Sequence, residues 1–371
     1  MLNTAESIRA RIIYTLTLVL LECGAVQADP PGSSLHVQGV TYAMAQQVRW
    51  LSEEHFLVGR WDGSISLFAA PPNADPPATL VNAMVIPGGH GVQMLVAHHP
   101  RTFVSSADEG SLLVWQANAK GDTFKPDPVP YPTEIGVAVS GLFVQHEEQE
   151  YLLTGHEHGR LLIWSVGPDT HLDLHKVVDL RSEVAIDYQH ADTPLRHIRG
   201  LAMWRDGIVI TGGEDGALHQ VQLPGGEILS NRLFNAHARL GVNDLVVHGN
   251  RLLVVNCATG PQDRNLWLYD LHVNRIADSD AANLLTDPNR ARIFAFDIAT
   301  WEQDGRAMAG VTTKEGLLWR VAFDGGELAP MEHVALGRFT YGAAIDVEPA
   351  TQRLAAAGIG VRVVDVVGQA R

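Results

Sequence analysis

Cysteine is scarce: the 371-residue chain holds two, Cys23 and Cys257. Cys23 lies in a segment expected to be removed, so the mature chain keeps one thiol and forms no internal disulfide, even in an oxidising compartment. The haem-attachment pattern C-x-x-C-H is missing, which excludes a c-type cytochrome. Positive charge is also short, with 27 Lys and Arg against 42 Asp and Glu and a formal net charge of −15. Nucleic-acid binding depends on basic side chains displacing counterions, so a phosphate-backbone partner is excluded. An acidic surface suits a basic protein partner and also keeps a chain soluble. No apolar run reaches the roughly 20 residues that cross a bilayer, so no membrane span is expected. There is no G-x-S-x-G elbow and no P-loop, and Gly88-Gly89-His90-Gly91 lacks the flanking strand and helix of a dinucleotide site. No catalytic residue, enzyme activity or cofactor is indicated.

What is present begins with a leader. Arg9 and Arg11 precede the apolar run Ile12 to Leu21, and Val26 and Ala28 supply small residues before Asp29. This pattern predicts a signal peptide over residues 1–28, cleaved after Ala28, and a periplasmic or secreted bacterial protein. Glu22 occupies the position where a lipoprotein signal needs a small residue, so Cys23 is not read as lipidated. Cys257, in the run Leu252 to Cys257, reads as a small buried apolar residue.

One phrase then recurs along the chain. A β-rich run, a turn containing an acidic or polar residue and glycine, and an alternating apolar run appear at Phe56–Phe68, Phe103–Trp115, Leu152–Trp164 and Ile208–Leu218. Looser copies cover Leu252–Tyr269, Ala309–Trp319 and Leu354–Val364, and the markers Gly63, Gly110, Gly159, Gly216, Asn265, Gly316 and Gly360 are spaced by 44 to 57 residues. That spacing is a propeller blade length. Each glycine supplies the positive φ of a tight turn between two strands. With an apolar strand before each hairpin and a more polar one after it, the reading is all-β: a single seven-bladed β-propeller of four-stranded antiparallel blades over residues 34–367. The chain ends at the third strand of the last repeat, so residues 34–40 are expected to lend the missing strand and close the ring.

The residues that resemble a known family are clearest in the second repeat. Gly89-His90, Pro100, Ser105, Glu109-Gly110 and Trp115 follow the pattern of the WD40 repeat; His197, Thr211 and Asp215 match it in the fourth repeat, where Val221 replaces the Trp. The resemblance covers residues 35–367, although no repeat ends in a literal Trp-Asp pair. It implies that His90, Ser105, Trp115, His197, Thr211 and Asp215 form buried structural networks. It also implies that partners dock on the edge carrying the turns between second and third strands. Carried over, that names Arg60, Trp61, Asp108, His156, Glu157, Glu214 and Lys314, and an exposed Trp beside Arg has the composition of an interaction hot spot.

Other candidates are weighed against this. His156 and His158 are weak metal candidates: they flank Glu157, but a strand irregularity would point them apart, and His158 replaces the turn Asp. His98-His99 reads as a loop beside Pro100. Asp244, Asp297 and Asp346 fall at matching places in the innermost strands, where they could hold a cation or line a wet channel. Ser182–Pro194, Ala258–Arg264 and Ala277–Arg292 read as insertions that could shape a binding face, and Pro71–Pro77 and Pro126–Pro132 as stiff connections. The resulting expectation is a monomeric, non-enzymatic scaffold that binds an unidentified protein, in assembly of a periplasmic or redox complex. The alternative is a propeller enzyme or small-ligand or metal binder at the central channel.

Overall fold

The apolar runs of the repeats become strands that bury both faces. In the second repeat Phe103, Leu113 and Trp115 face one neighbouring sheet, with Leu57, Ile65 and Leu67, while Val104, Leu112 and Val114 face the other, with Leu152, Leu162 and Trp164. Side chains alternate across a strand, so a run that is apolar at every position fits only a sheet covered twice.

The structure, a computed structural model, describes residues 43–72, 78–88, 91–106, 110–181, 196–205, 207–233, 241–258, 263–272, 275–284, 293–313, 315–323, 326–335, 344–358 and 360–365, all within the unit Ser34–Arg371. The predicted leader, the lent strand 34–40, the insertion Ser182–Pro194 and the candidates His90, Asp108 and Lys314 lie outside the described residues.

The first sheet comprises β1 (Ala45–Ser52), β2 (His55–Arg60), β3 (Ser64–Ala69) and β4 (Thr79–Val85). The second is β5 (Leu95–His99), β6 (Thr102–Ser106), β7 (Ser111–Ala117) and β8 (Phe124–Pro130). The third is β9 (Ala138–His146), β10 (Gln149–His156), β11 (Arg160–Val166) and β12 (Leu172–Asp179). The fourth is β13 (Ile198–Arg205), β14 (Ile208–Gly213), β15 (Ala217–Gln222) and β16 (Glu227–Leu233). Next come β17 (Val242–His248), β18 (Arg251–Ala258), β19 (Leu266–His272) and β20 (Arg275–Ala282), then β21 (Ile293–Gln303), β22 (Arg306–Thr313), β23 (Leu317–Ala322) and β24 (Ala329–Ala335). These two groups join into one eight-stranded sheet because Cys257 and Ala258 pair with Phe294 and Ile293. A three-stranded sheet, β25 (Ala344–Glu348), β26 (Arg353–Ala357) and β27 (Val361–Asp365), ends the described chain. All pairings are antiparallel, and the first strands neighbour one another in the order β1, β5, β9, β13, β17, β21, β25 and back to β1. No helix among the described residues is long and apolar enough to cross a membrane.

The marker glycines do what their turns need: Gly63, Gly110, Gly159, Gly216 and Gly316 have φ between 70° and 87°. Another glycine serves proximity. A Cβ on Gly155 would lie 2.4 Å from the carbonyl oxygen of Ile198 on the neighbouring sheet.

The first and last sheets meet at a seam. Trp50, Phe56 and Phe68 fill the space left by the small Ala344, Ala355 and Ala357. Two buried arginines reach across. Arg60 donates through Nη1 to Ala43 O (3.0 Å) and Gly358 O (3.3 Å), and Arg353 donates to the carbonyls of Ala70 and Glu53 while lying 5.0 Å from the Trp50 ring.

Several segments differ from the sequence reading. Ala277–Ala282, expected as part of an insertion, belongs to β20, and Pro126–Pro130, expected as a connection, belongs to β8. Pro126, Pro128 and Pro130 are two residues apart, so their missing N–H groups all fall on the open side of an outer strand, where no ladder donor is required. His98-His99 ends strand β5 rather than forming a loop.

Candidate functional site

The turns between second and third strands share one edge of the sheets, because antiparallel strands return to the same side at every second connection. On the first sheet Arg60 and Trp61 behave oppositely. Arg60 is wholly buried in the seam, where burial outweighs the attraction of Asp62 and lowers its pKa to about 10. It therefore has no surface to offer a partner, contrary to expectation. Trp61 is 49% exposed. Its N–H is held by Met44 O (3.0 Å), Asp62 Oδ1 caps the turn by accepting from Ser64 N (3.0 Å), and Gly91 allows a close passage of chain beside Trp61 O. The indole projects from a fixed backbone.

On the third sheet His156 is also fully buried, and it belongs to the scaffold rather than the partner edge. The Gly136 carbonyl can only accept, so His156 Nδ1 carries the proton toward it (3.1 Å), and His156 Nε2 accepts from Thr154 Oγ1 (2.8 Å). Thr154 Oγ1 in turn accepts from Trp164 Nε1 (2.9 Å). Burial pushes the His156 pKa down to about 4, against the Gly136 bond that raises it. Both ring nitrogens of His156 are thus engaged within the interior, while His158 occupies the turn with φ 62°. The second sheet shows the expected pair, Trp115 Nε1 to Ser105 Oγ at 2.9 Å. A further pair, Trp267 Nε1 to Asn256 Oδ1 at 2.9 Å, was missed because Asn256 precedes its Trp by eleven residues, not ten. In the fourth sheet Val221 is buried and His219 stands opposite Thr211, with Nδ1 3.5 Å from its hydroxyl. Asp215 caps its turn by accepting from Ala217 N (3.0 Å).

His197 is not part of that fourth-sheet network. It stands at the start of β13 between the turns of two sheets, with Nδ1 3.3 Å from Glu214 Oε2 and Nε2 3.8 Å from Glu157 Oε1. Arg199, whose Nη2 lies 3.4 Å from His197 Nδ1, donates to Glu214. Burial lowers the His197 pKa while Glu214 raises it. Glu157 Oε2 also accepts from Val137 N (3.1 Å). Three residues named separately in the sequence thus form one partly buried, net acidic cluster beside the turn edge.

The innermost strands carry a second constellation. Asp244 Oδ2 accepts from Ile298 N (3.2 Å), Asp297 Oδ2 from Ile345 N (3.0 Å) and Asp346 Oδ2 from Trp50 N (2.8 Å). Each carboxylate clasps the backbone of the next first strand in the cyclic order: β17 to β21, β21 to β25 and β25 to β1. Bulges just before Asp244 and Asp297 re-aim those side chains. Ser140 makes a comparable link, donating to Ile198 O at 2.5 Å. Burial, then the charge of Asp297, raises Asp244 well above the carboxylate range, and burial outweighs Arg49 to raise Asp346 to about 6. Arg49 supplies the positive charge here: against desolvation, Asp297, Asp346 and Asp244 raise its pKa. The three carboxylates therefore serve as clasps between successive first strands around an arginine. Cys257, expected to be buried, is half-buried, with its sulfur 3.3 Å from the Asn243 side-chain nitrogen.

No protein-family model matches the chain, and no curated protein matches it. Solved structures do. The Cps50 (Swd1) β-propeller domain of Myceliophteria thermophila aligns with a TM-score of 0.60 at 13% identity, covering 87% of this chain and 97% of that one. A chain of a mitotic checkpoint complex aligns with a TM-score of 0.63 at 11% identity, covering 93% and 99%. Four-stranded antiparallel sheets in cyclic neighbour order, with Trp-to-hydroxyl pairs inside them, give this chain the fold of the WD40 β-propellers.

Proposed function

We propose that this chain is a non-enzymatic scaffold that docks a basic protein partner on the edge bearing the turns between second and third strands. The observation that carries this reading is Trp61. A large aromatic ring left 49% exposed on an immobilised turn is the kind of anchor around which binding energy concentrates. The acidic cluster of Glu157 and Glu214 lies on the same edge and favours a cationic partner. In this reading the sheets form seven blades. Residues 34–40 complete the three-stranded last one, and the leader sends the protein to the periplasm or beyond, where it serves assembly of a periplasmic or redox complex. Supporting the seven-blade count, an apolar cluster fills each interface between successive sheets, including that between last and first.

The test is affinity capture from a periplasmic extract with the mature chain and with Trp61→Ala. A stoichiometric partner that loses affinity about 30-fold in the variant, equivalent to about 2 kcal/mol, supports the assignment. Equal binding by both, at unchanged melting temperature, removes Trp61 from the interface. Deleting residues 34–40 should lower the melting temperature of the whole unit; an unaltered melt would refute the closure.

A further inference from the structure

On the opposite edge, where first strands turn into second strands, two histidines and a glutamate from different sheets converge. His98 and His99 end β5, and Glu150 stands at the start of β10. One ligand atom from each lies within 4.8 Å of the others. Consecutive residues on a regular strand face opposite ways, but the register between β5 and β6 slips between Ala97 and His99. That bulge brings both rings to one side, with centroids 3.6 Å apart.

The buried member of the group is already oriented. The His98 side chain is 4% exposed and stacks on Phe143 at 4.3 Å between centroids. Its Nε2 lies 2.8 Å from Glu150 Oε2, and its Nδ1 lies 2.9 Å from Thr170 Oγ1. Thr170 is itself buried and held at φ 59°, an uncommon backbone state for a β-branched residue. The preceding Asp169 carbonyl accepts from Gln116 Nε2 of β7 (2.7 Å), which fixes this turn against the second sheet. A hydroxyl bonded to one imidazole nitrogen, with the other nitrogen aimed at a carboxylate and a second imidazole, is the outer-shell arrangement of a histidine metal ligand.

We propose that His98 Nε2, a His99 ring nitrogen and a Glu150 carboxylate oxygen form a binding site for a divalent transition-metal ion of the zinc type. Two imidazoles and a carboxylate match the donor preference of such ions and not that of Mg²⁺ or Ca²⁺. Binding at Nε2 uses the neutral imidazole protonated at Nδ1: Nε2 gives its proton to solvent and Nδ1 takes one from solvent, so no net proton is released, and the Nδ1–H donates to Thr170 Oγ1. His99 is exposed and the Glu150 side chain is 31% exposed, so the fourth position opens to water or to a donor from outside. The ion would staple the second sheet to the third. Thr170 is a positioning residue that acts through His98.

Equilibrium dialysis of the chelator-treated full chain against Zn²⁺ tests the site. One equivalent should bind, Mg²⁺ should not compete, and Co²⁺ loading should give the visible absorption bands of a low-coordinate ion. His99→Ala alters an exposed side chain and Glu150→Gln a partly exposed one with its shape kept, and each should lose that equivalent at unchanged melting temperature of the metal-free chain. Thr170→Val should weaken Zn²⁺ about tenfold, with Thr170→Ser restoring it. A wild-type chain that binds no Zn²⁺, or variants at His99 and Glu150 that bind it as wild type does, would overturn the site. Undiminished affinity in Thr170→Val would overturn the role given to Thr170.

Discussion

Replacing Thr154 by Val probes the structural network most directly, because the two side chains have nearly the same shape and differ in the hydroxyl. That hydroxyl accepts from Trp164 and donates to His156, all three being buried. Val leaves an indole N–H and an imidazole nitrogen without partners in the interior, each costing about 1–3 kcal/mol. The expected loss is about 2–6 kcal/mol, a large share of the roughly 5–15 kcal/mol that holds a typical domain together. Equilibrium urea unfolding followed by Trp fluorescence measures it, and an unchanged slope with a lower midpoint would place the loss in the folded state. Thr154→Ser retains the hydroxyl and should cost about 1 kcal/mol, one buried methyl. Combining Thr154→Val with Trp164→Phe should cost less than the two separately, since the second change removes a donor the first has stranded. If Thr154→Val falls within 0.5 kcal/mol of wild type, or Thr154→Ser costs as much as Thr154→Val, the network carries none of the stability assigned to it here.

Three further outcomes are expected. Burial lowers the His219 pKa to about 4, so its contribution to stability is complete above the unfolded value near 6.5 and is lost as pH falls from there to 4. His219→Gln should accordingly flatten the acid side of the stability profile by about 3 kcal/mol, read from urea midpoints at pH 7 and 4; parallel profiles would refute this. Asp346→Ala strands the Trp50 N–H at the seam and should cost about 1–3 kcal/mol in the same unfolding assay, whereas a neutral effect would show that this clasp is dispensable. Gly155→Ala forces a methyl onto Ile198 O and should destabilise by about 1–3 kcal/mol, while Gly225→Ala, with open space around it, should not; equal midpoints for both would contradict the close approach.

The β-sheet repeat was readable from the chain because two local signals coincide at each copy: a glycine that the turn requires and an apolar run whose neighbours lie on both faces. Ser105 and Trp115 were readable as a pair for the same reason, since their spacing is set by one hairpin. The residues that went astray depend on contacts between hairpins. Arg60 and His156 occupy positions that the repeat pattern assigns to the surface. Here one is drawn to the carbonyls of the last sheet and the other to the carbonyl of Gly136. His197 carries the family's histidine position yet meets Glu157 of the neighbouring sheet instead of its own Thr211. Glu150 and Thr170 could not be linked to His98 from sequence, because they are 52 and 72 residues away and a one-residue slip in β5 decides which way the ring turns.

Everywhere else along the propeller, a sheet is tethered to the next by the chain itself, so parting two neighbours still leaves them leashed. Between the first and last sheets no such leash runs among the described residues, and Arg60, Arg353 and Asp346 act there as three polar rivets through an otherwise alanine-thin joint. In the proposed closure residues 34–40 supply that leash, so deleting them should let heat or denaturant unzip the molecule from this joint outward, and any molecule that grips both of its lips would restore the lifetime lost.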